Sequence, residues 1–222
     1  MKKCILIFLL LLQGILWAEE IEEMEKPLKP LNIQEIYQKL DLQGKLDYKI
    51  FEEGYLGYLM IGNKNSDYFA IVDYTKPSNE KRFFLLDMKH YKIETQTYVS
   101  HAKNSGLEMA LHFSNDKNSM QSSLGFYLTK DTYKGEYGYS LVLEGLEDNI
   151  NSNAKERKIV MHGGDFAEEE YLKTYGFLGR SWGCPVLPKS EIAAVIDKLK
   201  HHHVLFIAGN DEYYHKHTRF KF

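Results

Sequence analysis

The chain has 222 residues, with 28 Lys+Arg against 31 Asp+Glu, 44% hydrophobic and 27% charged residues. That composition belongs to a folded globular chain of one domain, or of one domain with a short extension, and excludes a disordered one. A formal net charge of −3 leaves no basic excess, so no nucleic-acid partner is expected.

In chain order, Met1-Lys2-Lys3 is followed by an apolar run from Cys4 to Ala18 and then by Glu19-Glu20. A basic start, a leucine-rich core and a small residue at the break describe a secretory signal peptide over residues 1–18. The run is shorter than the ~20 apolar residues of a spanning helix and is interrupted by Gln13 and Gly14. The protein is therefore expected to be exported to the periplasm, with no stable membrane insertion after cleavage. Cys4 leaves with the leader, and Cys184 is then the only cysteine. A lone thiol in an exported protein is buried and inert, dimer-forming, or a nucleophile.

Residues 19–31 are acidic and carry Pro27 and Pro30, which reads as a linker. Residues 32–62 read as an N-terminal helical extension. Ile33, Ile36, Tyr37 and Leu40 follow helical spacing between an Asn32 N-cap and a Gly44 C-cap. A second helix over Asp47–Met60 places Ile50, Phe51, Tyr55 and Leu59 on one side, against the helix-weakening Gly54 and Gly57. Strands are predicted at Phe69–Tyr74, Phe83–Asp87, Lys92–Ser100, Gly125–Thr129, Tyr137–Leu143, Ile159–Met161 and Val204–Ile207. The alternation of Ile93, Thr95, Thr97 and Val99 is the clearest of their signals. Lys89-His90 turns a hairpin, and Ser105-Gly106 and Lys134-Gly135 are further turns. Ser190 is expected to cap a late helix ending near Lys200. The class is α+β, mostly β, with the body at 68–210 and a C-terminal tail at 211–222.

The chemistry concentrates between His162 and Cys184. The segment reads His162-Gly163-Gly164-Asp165 and then Ser181-Trp182-Gly183-Cys184-Pro185. A thiol nucleophile needs a base, N–H donors for the oxyanion and a group that orients the base. His162 follows a strand. Gly163 and Gly164 leave room beside it for backbone or substrate. Gly183 lets the chain bend, and Pro185 biases Cys184 toward extended backbone on a loop.

At these residues the sequence resembles the murein L,D-transpeptidase catalytic domain family (YkuD-like), in the branch with HG-(A/G)-D and GRS-x-GCP motifs. Ser100–Gly106, Gln121–Tyr127 and Gly138–Leu141 extend the likeness, which covers roughly residues 68–210. The resemblance implies a β-sandwich or barrel-like catalytic domain outside the cytoplasmic membrane, preceded here by short helices. It implies cleavage of a peptidoglycan stem tetrapeptide between meso-diaminopimelate and D-Ala. The acyl group passes to the cysteine and then to an amine on a neighbouring stem, making a 3→3 cross-link. By position, Cys184 would be the nucleophile and His162 the base, oriented by the Gly163 carbonyl. Gly183 and Cys184 would form the oxyanion hole, and Ser181 matches the motif serine. Two departures stand out: Trp182 replaces the motif histidine, and Val186 stands where Arg or Asn is usual. Arg180 is the candidate to grip a substrate carboxylate instead, with Trp182 and Tyr139 as further substrate-binding candidates. Two alternatives use the same fold, an L,D-carboxypeptidase with water as acceptor and a non-catalytic wall-binding module. Papain-like enzymes place Cys before His, and sortases have a longer gap.

No cofactor and no metal are expected. His201-His202-His203 lies between a helix and a strand without a carboxylate or thiol at ligand spacing. Glu168-Glu169-Glu170 reads as a solvated loop face, and Lys155-Glu156-Arg157-Lys158 as too short and mixed for an anionic partner.

Overall fold

A computed structural model describes residues 32–221. The signal peptide and linker expected over residues 1–31 lie outside the described residues. Helix α1 (Ile33–Lys39) buries Ile36 and Tyr37 and is shorter than the spacing predicts. The Tyr37 hydroxyl donates to Leu46 O at 2.5 Å and so pins the following turn. Helix α2 (Tyr48–Met60) starts at an Asp47 N-cap whose carboxylate accepts from Lys49 N at 2.8 Å.

The buried face of α2 is Phe51, Gly54, Tyr55, Gly57 and Tyr58, while Leu59 is exposed. Gly54 and Gly57, unfavourable for an isolated helix, are what lets this one reach the sheet. A Cβ at Gly57 would lie 2.1 Å from Phe126 Cζ, and one at Gly54 2.7 Å from Phe206 Cδ1.

The strands are β1 (Tyr68–Asp73), β2 (Phe83–Asp87), β3 (Lys92–Thr97), β4 (Gly125–Gly135), β5 (Gly138–Gly145), β6 (Val160–Gly164), β7 (Val186–Pro188) and β8 (Val204–Ala208). They form one sheet in the order β3-β2-β1-β8-β4-β5-β6-β7. Its pairs are antiparallel except β1–β8 and β6–β7. Strands β2 and β8 are buried along their whole length, which is why they read as continuous apolar runs rather than alternations. Beyond β3 the chain crosses to the far edge. Ser100 N donates to Val186 O at 2.8 Å in an antiparallel bridge, and the eight-stranded sheet is nearly closed on itself.

Helix α4 (Ile192–Leu199) packs against β1, β5 and β6. Its N-cap is Glu191, not Ser190. Ser190 instead gives its N–H and hydroxyl to the Glu168 carboxylate, at 2.9 and 3.0 Å. The acidic run thereby leads into a helix, α3 (Glu169–Tyr175), with Glu169 and Glu170 in its first turn where the helix dipole favours them. Residues set apart as a tail carry α5 (Glu212–His217) and bury Tyr214, Thr218 and Phe220. From Ile33 onward the chain forms one compact unit. Among the described residues no helix is long and apolar enough to cross a membrane.

Replacing Gly57 with Ala tests the helix–sheet contact. The clash with Phe126 is expected to outweigh the helix-propensity gain of ~1 kcal/mol and to lower stability by about 1–3 kcal/mol in urea unfolding. Gly62→Ala, which meets nothing within 4 Å, is the control and is expected to stay within about 0.5 kcal/mol.

Candidate active site

Strand β6, next to the β7 edge of the sheet, carries the imidazole. His162 is paired with Ser140 of β5 on one side and Val186 of β7 on the other, and is 3% exposed. Its Nδ1 lies 3.0 Å from Gly163 O. A carbonyl only accepts, so Nδ1 carries the proton and the Nε2 lone pair is left for chemistry. Burial pushes the His162 pKa down, and the Gly163 contact offsets part of that.

The glycines beside it let neighbouring protein pack close. A Cβ at Gly163 would meet Ile192 Cγ2 at 2.6 Å and Lys189 Cα at 3.0 Å. One at Gly164 would meet Val186 Cγ1 at 2.8 Å.

The cysteine sits on a loop just before β7. Ser181 shapes that loop: its Oγ accepts from Gly183 N at 3.1 Å and donates to Cys184 O at 2.6 Å. Gly183 has φ +145°, and a Cβ there would lie 2.4 Å from Ile159 Cδ1, so no other residue fits. The Gly183 N–H, expected to face an oxyanion, is thus engaged by Ser181. The Cys184 N–H makes no hydrogen bond among the described residues.

Cys184 Sγ accepts from Val160 N at 3.5 Å, and its thiol donates to Lys158 O at 3.8 Å. Burial raises the thiol pKa, while the Val160 N–H and the Arg157 charge lower it. A lowered imidazole facing a raised thiol makes the resting pair neutral on both sides.

Cys184 and His162 line one cavity of about 190 Å³ together with Tyr137, Phe166, Arg180, Ser181 and Trp182. Trp182 is 69% exposed at its mouth. Arg180 is exposed, with Nη1 3.5 Å from Gly106 O. Tyr139 is not brought to the cavity; its hydroxyl donates to Asp197 of α4 at 2.9 Å. The tyrosine at the site is Tyr137, whose ring stacks on His162 at 4.5 Å and 21°. Its signal in the sequence is an aromatic at a hairpin tip between Gly135 and Gly138. Of the three consecutive histidines, His203 is buried with Nδ1 on backbone carbonyls, while His201 and His202 are exposed.

The cysteine loop hangs from the segment that closes the sheet. Ser181 N donates to His101 O at 3.0 Å, and Lys103 N to Ser181 O at 2.8 Å. His101 is itself held by Arg82, a fully buried guanidinium. Arg82 donates through Nε and Nη2 to Val99 O, through Nη1 to Lys76 O, and through Nη2 to His101 Nδ1 at 2.8 Å. Arginine has no acceptor, so His101 accepts at Nδ1 and its Nε2–H donates to Gly106 O at 3.2 Å. Burial, then the Arg82 charge, lowers the His101 pKa to about 4.

The family model for the L,D-transpeptidase catalytic domain matches residues 42–208. The chain belongs to the L,D-transpeptidase catalytic domain family. The match takes in α2 as well as the β body. The chain therefore contains an enzyme domain of the L,D-transpeptidase kind, from a family that acts on peptidoglycan peptides. No curated protein matches the chain by sequence.

Similar solved structures include an L,D-transpeptidase from Mycobacterium smegmatis, 9% identical with a TM-score of 0.42 over 66% of this chain and 61% of that one. The helical cell shape determining protein Pgp2 (K307A mutant) from Campylobacter jejuni is 12% identical, TM-score 0.43, over 72% of this chain and 55% of that one. L,D-transpeptidase 3 from Mycobacterium tuberculosis, in complex with a faropenem-derived adduct, is 8% identical, TM-score 0.43, over 64% and 60%. The chain thus spans about three-fifths of the length of these neighbours.

The buried His101 makes folding stability pH-dependent. The folded imidazole takes a proton only near pH 4, the unfolded one near 6.5. Between those values the unfolded state binds more protons, so stability falls as pH drops through that window. Gln in place of His101 supplies an acceptor for Arg82 and a donor for Gly106 without titrating. His101→Gln is expected to hold its stability at pH 7 and to lose on the order of 3 kcal/mol less between pH 7 and 4, as read from urea unfolding at each pH.

Proposed function

We propose that the protein is an exported peptidoglycan L,D-transpeptidase in which Cys184 attacks the bond between diaminopimelate and D-Ala of a stem tetrapeptide. The observation that carries this is the shared cavity of Cys184 and a His162 whose Nδ1–H is held on Gly163 O, leaving Nε2 basic. The resting thiol gives its hydrogen to Lys158 O, so attack begins with Sγ turning toward His162 Nε2. His162 accepts the thiol proton as the sulfur–carbonyl bond forms. Charge collects on the carbonyl oxygen, where the unengaged Cys184 N–H is the available donor. The tetrahedral intermediate collapses, D-Ala leaves with the proton from His162, and a thioester remains on Cys184. An amine of a second stem then attacks the thioester, giving the 3→3 link and restoring the thiol.

A second recess favours an amine acceptor over water. It shares Tyr137, His162 and Phe166 with the first and is further lined by Gly163, Gly164, Asp165 and Lys189. Two recesses meeting at one base suit two stem peptides. Ser181 acts by holding the loop, and Trp182 and Arg180 flank the donor at the mouth of the first recess. The leader at residues 1–18 supplies export. No cofactor enters the scheme, and its partners are stem peptides.

The test is mass spectrometry of muropeptides after incubation with disaccharide-tetrapeptide. Tripeptide-linked dimers are expected from the parent, and His162→Ala is expected to lower kcat/KM by about 10²–10⁴-fold. Free tripeptide alone identifies the carboxypeptidase instead. Cys184→Ala protein that still turns over substrate sinks both. Because His162 works as the neutral base and burial lowers its pKa, the acid limb of kcat/KM is expected below the ordinary imidazole value of about 6.5.

A further inference from the structure

Arg157 lies half-buried behind the cysteine loop. Its guanidinium donates to Ser114 O at 2.7 Å, Ser123 Oγ at 2.5 Å, Ser119 Oγ at 3.2 Å and Gln121 O at 2.5 Å. All four acceptors are neutral, and among the described residues no carboxylate forms an ion pair with it. Taking a guanidinium out of water without an anionic partner is costly, which marks the position as one where a negative charge is expected to appear. The same guanidinium sits against Gly183, where an added Cβ would lie 3.2 Å from Nη2.

The residues that follow Arg157 hold the sulfur. Lys158 adopts a left-handed φ of 56°, a conformation that costs a side-chain-bearing residue on the order of 1 kcal/mol, and its carbonyl takes the thiol hydrogen. Two residues on, the Val160 N–H donates to Sγ.

We propose that Arg157 is the counter-charge of Cys184. With the Val160 N–H it stabilises the thiolate that exists when the thiol gives up its proton, and it anchors the backbone on which Sγ rests. Arg157 is a positioning residue in this scheme. It acts through field and backbone, while His162 removes the proton. The proposal rests on Cys184 being the working thiol of the previous subsection.

The other groups facing Cys184 do not fill this role. Tyr137, His162 and Arg180 share its cavity, and Tyr74 faces it from the end of β1. Among these only Arg180 is a permanent cation, and it is exposed and turned toward Gly106 O. Lys158 points its side chain to solvent beside Trp182. Among the described residues, Asp116, exposed on the 114–121 loop, is the carboxylate whose charge reaches Arg157.

The experiment is the rate of alkylation of Cys184 by iodoacetamide as a function of pH, on the full chain. The sulfur displaces iodide and no turnover is involved, so the result is independent of whether stem peptides are the substrate. Arg157→Gln is expected to move the midpoint of the alkylation profile up by about one pH unit, slowing alkylation near neutrality about tenfold with the high-pH limit unchanged. Arg157→Lys is expected to fall between the two. Ser119→Asp keeps the arginine and gives it a carboxylate partner at a half-exposed position, so it tests the charge in a protein that folds. Its midpoint is expected to rise in the same direction. An unmoved midpoint in Ser119→Asp, or in a folded Arg157→Gln whose only change is a lower melting temperature, overturns the proposal and leaves Arg157 a structural clamp. Midpoints that move as expected, in a parent that yields no muropeptide product, would uphold Arg157 while rejecting the stem-peptide reading.

Discussion

The site depends on a buried cation. Arg82 has no exposed surface, and its hydrogen bonds end on two carbonyls and an imidazole nitrogen rather than on a carboxylate. Desolvation lowers its pKa to about 10, still far enough above neutrality for the charge to persist. Burying such a charge costs several kcal/mol. Charge-assisted bonds and the face of Tyr74, 4.8 Å from the guanidinium carbon, offset it. The consequence is that residues 99–101 have one position available. Ser100 then reaches Val186 and closes the sheet, His101 O and Lys103 N take hold of Ser181, and Ala102 N is fixed on Ser122 Oγ. Sheet closure and cysteine placement are the same event, which is why a network remote from the sulfur governs its geometry.

The two chemical groups are held in different ways, and the difference suits their tasks. His162 is part of a strand hydrogen-bonded on both sides, so its ring has little freedom and its tautomer is set by its own neighbour. Cys184 is on a short loop tied by a serine hydroxyl, with a glycine where only a glycine fits. Its sulfur rests on a carbonyl and an N–H of the residues leading into β6, so a turn toward the base exchanges one weak contact for another. Burial works on both groups in the direction of neutrality. In the proposed reaction a proton then moves during attack rather than before it, within a site whose low dielectric makes each fixed charge count.

Some of this was legible without coordinates. The period-two alternation at 93–99 and the apolar runs at 69–74, 83–87 and 204–207 placed strands because pleating and burial act locally. Cys184 and His162 stood out as candidates by residue type within one short stretch, and the Gly163 carbonyl entered through the family resemblance. Gly54 and Gly57 pointed the other way, since propensity describes an isolated helix and says nothing of the Phe126 and Phe206 rings against it. Ser190 had the chemistry of a cap, but Glu168, brought beside it by the fold, took both of its donors. The acidic run reads as a loop until that bond and the dipole of α3 are seen. Tyr139 and Tyr137 are equally aromatic, and only the hairpin decides which lies on His162.

Sequence by itself determined the family, the mostly β class and the candidate thiol and imidazole, because these rest on residue type and short-range order along the chain. Tertiary structure alone decided which N–H is unengaged beside Cys184, which tyrosine stacks on His162, and which arginines are buried around the cysteine loop. Arg157 and Arg82 bind groups 6 to 43 residues away in the chain, mostly backbone carbonyls that every residue carries. Such partners leave no mark in the sequence, and they are selected only when the sheet closes and brings them within reach.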